Sequence, residues 1–364
     1  MLIADIIAAL EAKAPRRLQE DYDNSGLQIG SPLNECTGVM LCVDATPEVI
    51  AEAKKQGCNL VVSHHPLFFK GVRQLVGATP VQVTAMEAIA AGISVYSCHT
   101  SLDNAYGGVS WVMAQKLGLT GVSVLDPQYG RLMKLAAMVP ADQAELVRLA
   151  LFDAGAGAIG NYDCCSYSVD GTGSFRALEG ANPYVGELLD IHREPEVKVE
   201  VILPAALRNR VESALREVHP YEEPAYDFIS LANASTRDGS GVYGVLDEPV
   251  TPEDLIGRVK QQFNSPVVRC SRLPEGKISR IALCGGSGSS LFGKALASGA
   301  QTMITSDTKY HDFVDYSSSL FIIDIGHYES EYCTKEIFYR IITEKFPNFA
   351  VYNSVTEKNP INYL

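Results

Sequence analysis

The sequence has no Cys-x-x-Cys pair, although nine cysteines lie among its 364 residues. An odd number of thiols without regular spacing excludes a disulfide framework and points to reduced cysteines in a cytoplasmic protein. Apolar runs are short, and none reaches the roughly 18 residues of a membrane-spanning helix. A secretory leader is not expected, because Asp5 and Glu11 interrupt Leu2, Ile3, Ile6, Ile7 and Leu10 at the spacing of an amphipathic helix. Basic residues are few: 30 Lys and Arg stand against 43 Asp and Glu, for a net charge of −13. That balance argues against broad binding of nucleic acid or anionic membrane, which needs a cationic surface. A Gly-x-Ser-x-Gly elbow is also missing, so a serine nucleophile has little support.

What is present is ordinary globular composition, 46% apolar and 20% charged, at a length suited to two or three domains. Gly38–Val43, Leu60–Ser63 and Ile93–Ser97 read as strands. Helices start at Thr46-Pro47, at Thr79-Pro80 and at Val109, and Gly57, Gly92 and Gly118 close them. Continuous apolar strands alternating with helices predict a mostly parallel sheet covered on both faces. The pattern returns after residue 245. A helix runs from Thr251 to about Phe263, Ile281–Cys284, Met303–Thr305 and Leu320–Ile325 read as strands, and one long helix is expected from His327 to Lys345.

The middle differs. Val139-Pro140-Ala141 recurs as Leu203-Pro204-Ala205 at an offset of 64, and Val147 and Leu151 recur as Val211 and Leu215. Two such β-α-β units make a ferredoxin-like sandwich. Asn233–Gly241 reads as a linker. The expected fold is an α/β core in two segments, 1–127 and 239–364, interrupted by an inserted ferredoxin-like (α+β) domain over 128–238.

Three core strands run into metal-ligand residue types. Leu60–Ser63 leads into His64-His65, Val95–Ser97 into Cys98-His99 and Asp103, and Phe321–Ile325 into His327 and Glu331. Ligands of open α/β sheets bind at the carboxyl ends of strands. His327 and Glu331 share a helix face, as do His99 and Asp103 if their segment turns helically. Histidine with carboxylate suits Zn²⁺, Fe²⁺, Mn²⁺ or Co²⁺ and argues against Ca²⁺. Six candidates, His64, His65, His99, Asp103, His327 and Glu331, exceed the needs of one tetrahedral ion, so two divalent ions are expected, zinc foremost. The alternative for any single histidine is a satisfied core hydrogen bond.

Two features point to phosphate. Strand Ile281–Cys284 opens into Gly285-Gly286-Ser287-Gly288-Ser289-Ser290, whose amides can cradle an anion, although tight packing explains such a turn equally well. Lys309 and His311 follow strand Met303–Thr305. Lys309 is a candidate phosphate ligand and His311 a candidate proton carrier, with a solvated lysine and a local cap as the alternative.

These residues also resemble a known family, the NIF-three-like dinuclear metal-binding family, which bears the name GTP cyclohydrolase 1 type 2. The resemblance rests on Asp23–Gly30, Ser63–Leu67, His99–Asp103, Gly285–Ser290 and Gly326–Glu331, spread along the whole chain. It implies a two-metal site of His64, His65, Asp103, His327 and Glu331, with His99 a further ligand or close neighbour. It also implies a ring-shaped homohexamer whose sites face an internal cavity. The insert is similar to PII and CutA proteins, with Gly171–Phe175 and His219–Pro224 as its marks. Two residues depart from the family pattern: Ser306 stands where glycine is frequent, and Tyr22 where some members have tryptophan.

The expectation is a cytoplasmic two-metal hydrolase acting on a nucleotide or another small phosphorylated compound. Lys309, Gly286, Ser287 and Gly288 would hold phosphate, and His99 or His311 would carry protons. The alternative is a non-catalytic metal-binding hexameric scaffold or regulator.

Overall fold

Threonine followed by proline starts three helices. Thr46, Thr79 and Thr251 each accept a hydrogen bond from the third helical amide, while the proline behind them needs no partner for its nitrogen. The computed structural model describes residues 1–160 and 162–364.

The first segment contains α1 (Ile3–Lys13), β1 (Gly26–Ile29), β2 (Val39–Cys42), α2 (Pro47–Lys55), β3 (Leu60–Ser63), α3 (Pro80–Ala90), β4 (Ser94–Ser97), α4 (Thr100–Asp103), α5 (Val109–Lys116) and β5 (Thr120–Pro127). The middle contains β6 (Leu132–Pro140), α6 (Ala144–Asp153), β7 (Ser166–Arg176), β8 (Ile191–Pro204), α7 (Arg208–Val218) and β9 (Tyr226–Leu231). The last segment contains β10 (Gly239–Val250), α8 (Pro252–Gln262), β11 (Arg269–Cys270), β12 (Ile278–Ser287), α9 (Phe292–Ala297), β13 (Thr302–Ser306), α10 (Tyr310–Tyr316), β14 (Phe321–Asp324), α11 (His327–Glu331), α12 (Thr334–Lys345) and β15 (Val351–Asn353).

Residues 1–127 and 237–364 form one compact unit. It has two sheets, ordered β1-β4-β3-β2-β15 and β11-β14-β13-β12-β10-β5. The segments exchange strands: β15 joins the sheet of the first segment, and β5 that of the last. Pairing is parallel from β4 through β3 and β2 to β15, and from β12 through β13 to β14. The other neighbours, β1, β5, β10 and β11, pair antiparallel. The α/β class is as expected, with the parallel pattern confined to these inner runs and β15.

Alternation along the strands packs both faces of each sheet. Val39, Leu41, Leu60 and Val62 enter one apolar cluster and Met40, Cys42 and Val61 another. Ile281, Leu283, Ile304 and Ile323 join the first cluster from the second sheet. Residues of α1, α5, α8 and α12 fill it, so both sheets share a helical layer.

The expected long helix from His327 is two helices. The ladder breaks at Tyr332-Cys333, so α11 presents Glu331 to the strand ends while α12 buries Ile337, Phe338, Ile341 and Ile342. The expected linker is also partly strand, because Gly239–Gly241 open β10 and Ser240 hydrogen-bonds Asn104 at 2.7 Å.

Residues 128–236 form the second unit. Its elements follow β-α-β-β-α-β, in an antiparallel sheet ordered β7-β8-β6-β9. The repeated strands β6 and β8 are central neighbours, and Val147, Leu151, Val211 and Leu215 are fully buried beside them. All nine cysteines are unpaired. Among the described residues no helix is long and apolar enough to cross a membrane.

Candidate metal centre

The carboxyl ends of strands from both sheets carry the polar residues. Asp44 follows β2, His64 and His65 follow β3, and His99 and Asp103 follow β4. Asp307 follows β13, and His327 and Glu331 follow β14 on α11. The structure brings together the five expected ligands and His99.

Glu331 lies between two groups of donors. Its Oε1 is 3.5 Å from His64 Nε2, which is 3.7 Å from Asp103 Oδ1. Its Oε2 is 2.9 Å from His65 Nε2 and 3.0 Å from His327 Nε2, and those two nitrogens are 3.2 Å apart. One donor atom from each of His64, His65 and Glu331 fits within 4.8 Å.

Several of these atoms have no use within the protein. His64 is wholly buried, and among the described residues neither of its ring nitrogens has a hydrogen bond. Asp103 Oδ1 is likewise buried and unpaired. Glu331 Oε2 is at ion-pair distance from two imidazoles but has no hydrogen bond of sound geometry. Unpaired buried polar atoms are costly. Here they converge, and nitrogen with carboxylate oxygen is the donor set of a divalent transition metal, so the residues fit such an ion.

Three histidines are held the same way. His65 Nδ1 meets Asp44 Oδ1 at 2.8 Å, His327 Nδ1 meets Asp307 Oδ2 at 2.6 Å, and His99 Nδ1 meets Asp23 Oδ1 at 2.6 Å. A carboxylate on Nδ1 keeps a proton there and turns Nε2 toward the cluster, which orients it as the atom a metal would take. Asp23, Asp44 and Asp307 were not expected as site residues. Asp44 and Asp307 were open to the strand-end rule that found the histidines.

Burial lowers the pKa of His64 to about 4, against the opposing pull of the Glu331 carboxylate. Burial also opposes charge on His65 and His327. Asp44 and Glu331 nevertheless hold His65 up to about 10, and Glu331 and Asp307 hold His327 up to about 9. Burial, then the Glu331 charge, pushes Asp103 well above the usual carboxylate range. Burial pushes Glu331 the same way, but His64, His327 and His65 outweigh it and hold it ionised.

The backbone is strained beside these groups. His99 has φ 41° and Asp307 has φ 53°, left-handed values that cost non-glycine residues about 1–3 kcal/mol each. Ser306, by contrast, is an ordinary strand residue at the end of β13, so its position does not require glycine. Gly286 does require it. Its φ is +63°, and a Cβ there would run into the Glu331 carboxylate.

A cavity of about 430 Å³ opens beside the cluster, lined by His99, Asp103, His327, Glu331, Gly286 and Ser287, with Tyr22 and Phe69 also on its wall. No lysine or arginine lines it among the described residues. Lys309 and His311 are exposed at the start of α10 and do not line the cavity, nor does Gly288. The amides of Gly285 and Gly286 already donate to Ser110 and Ser330 hydroxyls, at 3.3 and 2.9 Å, so they are not free for phosphate.

The family model for Duf34/NIF3 (NGG1p interacting factor 3) matches residues 1–360. A protein of Mycobacterium tuberculosis named GTP cyclohydrolase 1 type 2 homolog is 38% identical over 336 residues, covering 91% of this chain and 88% of its own. A Staphylococcus aureus protein of the same name is 35% identical over 370 residues, covering 100% of both. The crystal structure of a Bacillus cereus protein related to NIF3 superposes with a TM-score of 0.89 at 32% identity, covering 100% of this chain and 99% of that one. The chain therefore belongs to the Duf34/NIF3 family.

Proposed function

We propose that the protein is a metal-dependent hydrolase with two divalent ions, acting on a nucleotide or another small phosphorylated compound. The observation that carries this reading is the position of Glu331, whose two oxygens face two separate donor groups. His64 Nε2, Asp103 Oδ1 and Glu331 Oε1 would hold one ion. His65 Nε2, His327 Nε2 and Glu331 Oε2 would hold the other. Zinc suits these donors first, and iron, manganese or cobalt also fit. Such a pair supplies Lewis acidity and activates water near neutral pH.

The chain's own groups do the rest. His99 keeps its Nδ1 on Asp23, which leaves Nε2 to give or take a proton at the cavity wall. Tyr22 and Phe69, with ring centroids 6.4 Å apart, offer an apolar flank to a planar base. The relatives' name makes GTP the first substrate to try. A cytoplasmic homohexamer belongs to the same reading, and a particle mass six times that of the chain in light scattering tests it.

One observation favours the alternative, a non-catalytic metal-binding scaffold. The wall offers a phosphate no lysine or arginine among the described residues. Protein purified without chelator should hydrolyse GTP or a member of a phosphorylated-metabolite panel, and Glu331→Gln should abolish this with loss of metal. Full metal content without turnover on any member favours the scaffold. Turnover that survives an emptied site puts the chemistry elsewhere.

A further inference from the structure

The motifs Gly171–Phe175 and His219–Pro224 play no part in the metal centre. They belong to the unit of residues 128–236, where they border one cavity of about 370 Å³. Three aromatic rings stand on its wall. Tyr221 lies 5.9 Å from Phe175 and 6.1 Å from Tyr184 between centroids, with ring planes tilted by 60° and 48°. Tilted rings enclose a rounded group and leave no parallel slot for a flat one.

The turn that carries Tyr221 is fixed. Buried His219 bonds through Nε2 to the Met138 carbonyl at 3.0 Å, and its Nδ1 accepts the Tyr221 amide at 3.1 Å. The Tyr221 hydroxyl donates to Glu196 Oε1 at 3.0 Å. Among the described residues the other oxygen of Glu196 has no hydrogen bond. Gly173 makes room for this carboxylate, since a Cβ there would overlap it.

The lining contains no lysine, arginine or histidine among the described residues. A phosphate or carboxylate ligand would find no charge partner. A neutral apolar ligand would strip water from Glu196 without replacing it. A bare metal ion needs several converging oxygens, but Glu222 accepts the Asn182 amide at 3.0 Å and Glu223 lies 4.0 Å from Arg216. An organic cation satisfies both wall types, because aromatic faces and a carboxylate attract the same charge. The volume suits a small molecule.

We propose that this cavity binds a small substituted ammonium ion, its alkyl groups among Phe175, Tyr184 and Tyr221 and its charge toward Glu196. The same headgroup ends phosphatidylcholine, but the wall has nothing basic to meet a lipid phosphate, so the ligand is a free solute. The site lies in one unit and does not depend on the metal reading.

Calorimetric titration of the full chain with choline and with benzyltrimethylammonium tests this. At least one cation should bind saturably, and 3,3-dimethylbutan-1-ol, the uncharged isostere of choline, should bind at least about tenfold more weakly than choline or not at all. Tyr184→Leu changes a half-exposed side chain and should weaken the cation about tenfold, as should Glu196→Gln. Tyr184→Phe should restore binding, and Glu331→Gln should leave it unchanged. The proposal is overturned if neither cation binds, if the isostere binds as well as choline, or if both weakening variants bind normally. Choline-sensitive co-sedimentation with phosphatidylcholine vesicles would overturn the free-solute assignment.

Discussion

Asp44 Oδ1 stands 2.8 Å from His65 Nδ1, and so ties together the carboxyl ends of two neighbouring parallel strands. Asp44 is itself held from the C-terminal segment. The Glu357 carboxylate accepts the amides of Val43 and Asp44 at 2.6 and 2.7 Å, and its other oxygen pairs with buried Lys335 at 2.8 Å. A line of contacts thus runs from Lys335 through Glu357 and Asp44 to His65, a candidate metal ligand.

Removing a carboxylate behind a ligating histidine typically costs 10–100-fold in metal affinity. Asp44→Asn should therefore weaken the ion at His65 and His327 by about that factor. The ion at His64 and Asp103 should be affected less. Competition with a chromophoric chelator reads the two affinities separately. Glu357→Ala should also destabilise the fold by about 3–5 kcal/mol, because it strands the buried Lys335 charge.

The pH dependence has a definite sign. His65 and His327 titrate near 6.5 in an unfolded chain and at about 10 and 9 in the fold. The folded state holds the extra protons, so their contribution to stability is complete below about pH 6.5 and is lost as pH rises through 9 to 10. Chelator-treated protein should show a falling Tm over that range. Metal competes for the same Nε2 atoms, so binding at neutral pH should release protons, measured by calorimetry in buffers of different ionisation enthalpy.

Gly286→Ala places a methyl group against Glu331 at a backbone angle that alanine resists. On the proposed reading, in which Glu331 serves two ions, both should be lost together in elemental analysis. Ser287→Ala, on the same turn, should keep them.

Leu151 is fully buried in the core of residues 128–236. Leu151→Ala should cost about 2–5 kcal/mol there. If that unit unfolds independently, the variant shows an early calorimetric transition with unchanged metal content. A single transition shifted as a whole, with metal lost, would contradict this.

The strand ends were readable because β3 and β14 open on the apolar runs Leu60–Val62 and Phe321–Ile323, each followed within four residues by His64 or His327. The outer strands were not. Thr120–Pro127 mixes Thr120, Gly121 and Ser123 into its run, which hides a strand paired across the sequence. Asn233–Gly241 has linker composition, yet Ser240 is bound to Asn104 from the other segment. Asp23 pairs with His99 across 76 positions, and such a partner is set by tertiary folding and leaves no local pattern. Lys309 and His311 follow a strand end like the true cluster, but α10 starts there and leaves them exposed.

The central claim is that Glu331 is shared by two ions. Elemental analysis of protein never exposed to chelator tests it most directly, applied to the native chain and to single alanine variants. Two ions per chain are predicted for the native protein, both lost in Glu331→Ala and one kept in Asp103→Ala and in His327→Ala. Fewer than one ion per native chain, or a Glu331→Ala variant that keeps an ion, would contradict it.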